Sequence, residues 1–214
     1  MSAKIDEKMK ADKSVSMPLR GLVLGSGLFS PKDQLDIGAN LFQTGLVDSK
    51  QRIHFEGLKR DFDKYLNGTN YLQALEVILS SAFSRKLEHL FENGSLQIMR
   101  KTRNDFEDLS GVDSLNYLVE EDVHYGDYKK YLTQPEIRQA IHAGSSTTFI
   151  NQNSNYTDEF LIESLKSSKE KLENLLQEEY QVLLYHRQTD VLTPYPSTER
   201  SIEKLFWKYS NLYK

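Results

Sequence analysis

The stretch Tyr180-Gln-Val-Leu-Leu-Tyr-His-Arg-Gln-Thr-Asp190-Val-Leu-Thr-Pro194 decides the fold. Its run Val182-Leu183-Leu184-Tyr185 is continuously apolar. Such a run suits a central parallel strand covered on both faces, whereas a half-exposed strand alternates apolar and polar residues. The polar residues that follow end the strand and put Asp190 a few positions past its carboxyl end, where open parallel sheets gather functional groups. Taken alone, Asp190 reads as a turn or capping aspartate.

Working outward, 160–180 reads as a helix with Leu161, Leu165, Leu172, Leu175 and Leu176 inward. After Asp190 a last helix turns Ile202, Leu205 and Phe206 inward, with Trp207 beside them. Near the start of the chain, Leu22-Val23-Leu24 reads as a short buried strand stopped by Gly25-Ser26-Gly27, and 33–46 as a helix. Two amphipathic helices fill 49–91, divided at Asn67-Gly68. A polar loop covers 93–113, and helical spacing resumes over 125–143, where Pro135 opens the last helix and Gly144 closes it. The span 145–157 reads as a further polar loop. Strands at both ends with helices between them predict an α/β core interrupted by a helical insertion.

The chain has 214 residues, 38% hydrophobic and 11% aromatic, enough apolar surface to offset the entropy of ordering the chain. Its net charge is -4 with both signs interspersed, which disfavours nucleic acid and anionic membrane surfaces as partners. No apolar run approaches the roughly 18–20 residues of a membrane span. Cysteine is absent, which excludes disulfides and thiol chemistry. The first sixteen residues contain no apolar stretch of the signal-peptide kind. Asn67, Asn93 and Asn155 each head an N-x-Ser/Thr sequon and are candidate glycosylation sites.

A nucleophile elbow needs Gly-x-Ser-x-Gly on a tight strand-to-helix turn, and no serine here has that flanking. Ser26 is the nearest imitation and reads as a turn residue. Gly25-Ser-Gly27-Leu-Phe-Ser30 comes near a dinucleotide fingerprint, but helices follow where that fold requires a second strand. His54, His89, His124, His142 and His186 show no metal-ligand spacing, so neither a metal nor a cofactor is expected.

Four segments together change the reading of Asp190. Gly21-Leu-Val-Leu-Gly-Ser-Gly-Leu28, Gly45-Leu-Val-Asp48, Tyr131-Leu-Thr-Gln-Pro-Glu-Ile-Arg-Gln-Ala-Ile-His142 and Val182-Leu-Leu-Tyr-His-Arg-Gln-Thr-Asp190 occur in an order that resembles the serine carboxypeptidases, notably their vitellogenic-like and retinoid-inducible animal branches. The resemblance implies an α/β-hydrolase fold with a helical cap: partial core over 1–46, insertion over 47–155, and a second part of the core with the Asp190 loop over 156–214. It also implies a Ser-Asp-His triad that removes C-terminal residues from peptides, a secreted or lysosomal/vacuolar location, and Asp190 as the triad aspartate.

In that family the nucleophile precedes the strand at Leu22 and the base follows the aspartate. No histidine follows Asp190 here, and His186-Arg187 stand where family members carry small residues or glycine. Losing serine and histidine from a triad costs on the order of 10⁶ in kcat. The expectation is therefore a fragment or truncated form of a serine-type carboxypeptidase, silent alone, with a peptide or protein as substrate of the full-length form. The alternative is a non-catalytic relative whose insertion is an interaction module. A core without its first strands exposes the sheet edge beside Leu22 to Tyr185, so this version is expected to need a homo-oligomer or another partner to cover it, or to aggregate.

Overall fold

The computed structural model describes residues 1–14, 17, 19–82, 109–110, 127–144 and 154–213. Strands β1 (Gly21–Gly25) and β2 (Gln181–Tyr185) pair in parallel, Gly21 opposite Gln181 through Gly25 opposite Tyr185. The Ser26 amide extends the ladder by donating to Tyr185 C=O at 2.9 Å. Because the strands are parallel, the turn after β1 and the loop after β2 leave the sheet at the same end. Asp190 lies in the second of these.

The helices are α1 (Ser2–Ala11), α2 (Pro31–Gln34), α3 (Ile37–Gln43), α4 (Ser49–Asn67), α5 (Tyr71–Ala82), α6 (Asp127–Leu132), α7 (Pro135–Ala140), α8 (Ser154–Ser164), α9 (Lys169–Gln177), α10 (Tyr195–Glu203) and α11 (Ser210–Tyr213). Asp48 starts α4 with a capping box: its carboxylate accepts from the Lys50 and Gln51 amides, and the Gln51 side chain accepts from the Asp48 amide. This satisfies amides that the first helical turn leaves unpaired.

Two cores result. The larger joins Leu35, Ile37 and Leu41 to Phe55 and Phe62 of α4, to Ala74, Leu75, Ile78 and Leu79 of α5, and to Leu165 and Val191. The smaller lies under the sheet, where Phe29, Leu172 and Leu205 pack with Val182, Leu184, Leu176, Ile202 and Trp207. The opposite sheet face is open: Val23, Leu183 and Tyr185 are 64%, 57% and 61% exposed. Neither strand is therefore covered on both faces among the described residues, contrary to the apolar run of β2 and to the reading of β1 as buried. Among the described residues one layer of helix lies against the pair, where Val182 and Leu184 pack on the smaller core.

Three helical expectations are corrected as well. The span 33–46 is two helices broken at Leu35 and Asp36, whose backbones leave the helical region. The break lets Leu35 and Ile37, nearly opposite each other on a continuous helix, both enter the larger core, while Phe42 is left partly exposed. The span 160–180 is likewise divided, because Leu165 belongs to the larger core and Leu172 to the smaller. The amide of Ser168, in the intervening turn, donates to Phe29 C=O at 2.8 Å. Its first part, α8, begins at Ser154, inside the span read as a loop. At the end of the chain α10 stops at Glu203, so Leu205 is buried and its neighbour Phe206 is 83% exposed. The expected helices across 83–91 and the loop over most of 93–113 lie outside the described residues.

One buried side chain ties the two loops at the end of the sheet together. Gln34 is fully buried, and its Oε1 accepts from the amides of Phe29 and Ser30 at 2.8 Å each. Its Nε2 donates to Gly27 C=O at 2.9 Å and to Thr198 Oγ1 of α10 at 3.1 Å. Every polar position of the carboxamide facing the interior is thus used. Lys204, just past α10, and Arg200 of α10 also reach Asp33 and Asp36, at 2.7 and 3.7 Å. Burial works to raise the Asp33 carboxyl, but hydrogen bonds from Lys204 and Ser30 outweigh it and hold the group below the usual carboxylate range.

Two substitutions test this architecture by urea unfolding. A Cβ at Gly38 would meet Phe55 Cβ at 2.4 Å, so Gly38→Ala must push α3 from α4 and is expected to cost about 1–3 kcal/mol; a variant as stable as the parent would contradict that close approach. Gln34→Leu strands two buried amides and is expected to cost roughly 2–6 kcal/mol, at about 1–3 for each unpaired donor. An unchanged midpoint would show that water replaces the carboxamide.

Candidate active site

The loop leaving β2 is fixed at several points. Val191 is fully buried in the larger core, Pro194 is fully buried, and Thr193 is buried beside them. Asp190, half-buried, turns its carboxylate back over this loop. Oδ1 accepts from the Leu192 amide at 2.9 Å and the Thr193 amide at 3.0 Å, the pattern of an aspartate closing a turn on its own backbone. Among the described residues, Oδ2 has only Thr193 Oγ1 near it, at 3.4 Å. The two oxygens therefore differ: one is engaged by backbone, and the other retains acceptor capacity.

His186, immediately after β2, lies 3.1 Å through Nδ1 from Thr193 C=O. A carbonyl only accepts, so Nδ1 carries the hydrogen. Thr198 Oγ1 is 3.4 Å from the same nitrogen and also receives the Gln34 Nε2 hydrogen bond. His186 Nε2 is buried without a hydrogen-bond partner. The chain of contacts Gly27–Gln34–Thr198–His186–Thr193–Asp190 thus runs from the turn after β1 to the carboxylate, all at the carboxyl end of the parallel pair. That is the place where parallel sheets assemble sites.

The remaining sequence candidates are dispersed. Ser26 is exposed in the turn after β1, with φ 47° in the left-handed region that only a short side chain tolerates readily. Asn67 is exposed at the end of α4, where its Oδ1 accepts from Lys32 Nζ at 3.1 Å. Asn155 falls within α8, and Asn93 lies outside the described residues. His142 is exposed just past α7 and His54 is exposed on α4, while His89 and His124 lie outside the described residues. Arg187 is exposed to solvent.

Sequence reasoning missed Gln34, Thr193 and Thr198. None belongs to a chemical motif, and their partners lie on the backbone or far along the chain. The one available signal was a glutamine three positions after Pro31 on a segment otherwise read as apolar inward.

The serine carboxypeptidase family matches the chain across residues 1–214. A venom serine carboxypeptidase of Apis mellifera is 30% identical over 212 residues, 98% of this chain and 42% of the relative. A probable serine carboxypeptidase CPVL of Homo sapiens is 28% identical over 211 residues, 94% of this chain and 40% of the relative. A vitellogenic carboxypeptidase of Aedes aegypti is 25% identical over 199 residues, 92% and 39% respectively. The chain spans about two fifths of the length of the curated relatives it matches. With a match over its whole length, and a parallel pair with helices that accords with part of an α/β-hydrolase core, this chain belongs to the serine carboxypeptidase family.

Proposed function

We propose that these 214 residues contribute the acid of a Ser-Asp-His triad in a serine-type carboxypeptidase, with Asp190 as that acid and 47–155 as the helical insertion. The observation that carries the reading is the division of labour in the Asp190 carboxylate. Oδ1 is held by two amides, which sets the direction of the group, and Oδ2 has one long contact, which leaves it able to accept an imidazole N–H. A triad acid does this: it selects the tautomer of the base and stabilises the imidazolium formed as serine attacks. The sequence holds no Gly-x-Ser-x-Gly and no histidine after Asp190, so nucleophile and base come from polypeptide outside these residues. Removal of a C-terminal residue from a peptide, in a secretory or lysosomal setting, is the activity the family implies. The name of the honeybee relative, a venom protein, accords with that setting, as do the sequons at Asn67, Asn93 and Asn155.

The same polypeptide is the proposed cover for the sheet. The ladder bonds from Gln181 to Arg20 C=O and from Ser26 to Tyr185 C=O point the even-numbered residues of β1 at β2. By alternation, the amides of Gly21, Val23 and Gly25 face the other edge. An open groove of about 400 Å³ lies beside that edge, lined by Leu22, Leu24, Leu28, Phe29, Leu172 and Leu175 among others. A parallel pair with one bare apolar face is a sheet awaiting further strands and a second layer. The greater length of the relatives supports a cover drawn from the same domain.

Two measurements decide the matter. The purified 214-residue chain is expected to release no residue from a blocked dipeptide at acidic pH; release sensitive to a serine reagent would overturn the assignment. In a polypeptide joining these residues to a nucleophile and base, Asp190→Asn is expected to lower kcat by about 10⁴-fold, and unchanged turnover would remove Asp190 from the triad. For the bare face, light scattering of the chain alone is expected to show association that grows with concentration and falls in a Val23→Lys, Leu183→Lys double variant. A monodisperse parent would argue against the cover.

A further inference from the structure

His186 occupies a position where the family resemblance predicted a small residue, and the reading of Asp190 as triad acid leaves it without a role. Its ring is half-buried, one nitrogen is bonded to the loop, and the other is buried without a partner. A side chain present only to fill space would not need a bond at Nδ1. We propose that His186 is a positioning residue for Asp190, its Nδ1–H clamping Thr193 C=O. This proposal rests on the reading of Asp190 as the triad acid.

The geometry carries the inference in three steps. Thr193 is held on both sides of its residue, its amide by Asp190 Oδ1 at 3.0 Å and its carbonyl by His186 Nδ1 at 3.1 Å. The carboxylate can point in a fixed direction only if that amide is itself fixed, and the amide is fixed because the carbonyl beyond it is tied to the end of β2. The ring is in turn within 3.4 Å of Thr198 Oγ1, which Gln34 joins to the turn after β1. His186 thus couples the carboxylate to both strands of the sheet without touching the carboxylate.

The tautomer follows from the same contacts. With hydrogen on Nδ1 the buried Nε2 is an unpaired acceptor; with hydrogen on Nε2 the protein would bury an unpaired donor and also leave Thr193 C=O facing a lone pair. Unpaired buried donors are the rarer and costlier case. The bond made at one nitrogen sets the state of the other.

The test is NMR of the isolated chain and needs no turnover, so it stands apart from whether Asp190 is catalytic. The ring nitrogen shifts of His186 are expected to report the Nδ1–H tautomer near neutral pH; the Nε2–H form would overturn the proposal. His186→Ala is expected to speed amide exchange at Leu192 and Thr193 about tenfold, with Leu41 and Phe62 unchanged. His186→Asn, which keeps a donor near the Nδ1 position, is expected to restore protection. Equal protection at both loop amides in the alanine variant would show that the clamp is idle. Should that variant unfold throughout, the tautomer in the parent chain decides alone. In a catalytically complete polypeptide, loss of the His186 clamp without loss of Asp190 is expected to lower kcat and leave KM unchanged, whereas a failure of Asp190→Asn alone would refute the triad reading and leave the clamp standing.

Discussion

The buried carboxamide of Gln34 is the contact on which the arrangement at the end of the sheet depends. The turn after β1 and the loop after β2 come from opposite ends of the chain, and a two-stranded ladder fixes only their starting points. Gln34 supplies the missing constraint by binding the backbone of the first turn at three points and α10 at a fourth. Because it is fully buried, these bonds form where water does not compete for them, and losing them would strand backbone groups. Through Thr198 the constraint reaches His186, and through Thr193 it reaches Asp190.

The sheet shows the opposite condition. Parallel strands exist almost only with both faces covered, since their side chains are apolar on both. Here Val182 and Leu184 meet Phe29, Leu172 and Leu205, while Val23, Leu183 and Tyr185 meet solvent. Tyr185 partly compensates by lying over its register partner Gly25, where even a Cβ would fall 2.2 Å from the phenol oxygen. A ring over a glycine is a known way to shield a weak strand position. It shields one position only, and the apolar composition of β2 suits a sheet with more cover than the described residues supply.

Sequence reasoning recovered what local chemistry encodes. The strands, the division between α4 and α5 near Asn67-Gly68, and the start of α7 at Pro135 were legible because glycine, proline and apolar spacing act within a few residues. The breaks at Leu35-Asp36 and at Leu165–Ser168 were not, since each exists so that neighbouring leucines and isoleucines can serve different directions or different cores. Apolar spacing reports that Leu165 and Leu172 are inward but not that they are inward to separate places. Phe206 failed for the same reason: its helix ends first, and burial then alternates between adjacent residues. Asp190 was singled out as a triad candidate only through resemblance, because a turn aspartate and a triad aspartate carry the same local signature. Gln34 was not legible at all, its importance residing in where Thr198 arrives from the far end of the chain.

His186 and Arg187, which the sequence resemblance reads as replacing small residues or glycine, bear on the pose proposed for Asp190. Arg187 is exposed, so its bulk is accommodated by solvent and not by the loop interior. The direction of the carboxylate is set by the amides of Leu192 and Thr193, which are main-chain groups and independent of side-chain identity at those positions. What must be conserved for such a pose is therefore backbone path: burial of Val191 and Pro194, an amide hydrogen at two successive residues, and something that holds Thr193 C=O. A relative with glycine at the position of His186 would have to meet that last requirement by other means. A chain with histidine there meets it with its own ring under the proposed clamp, and the carboxylate of Asp190, the proposed acid, stays where the sheet places it.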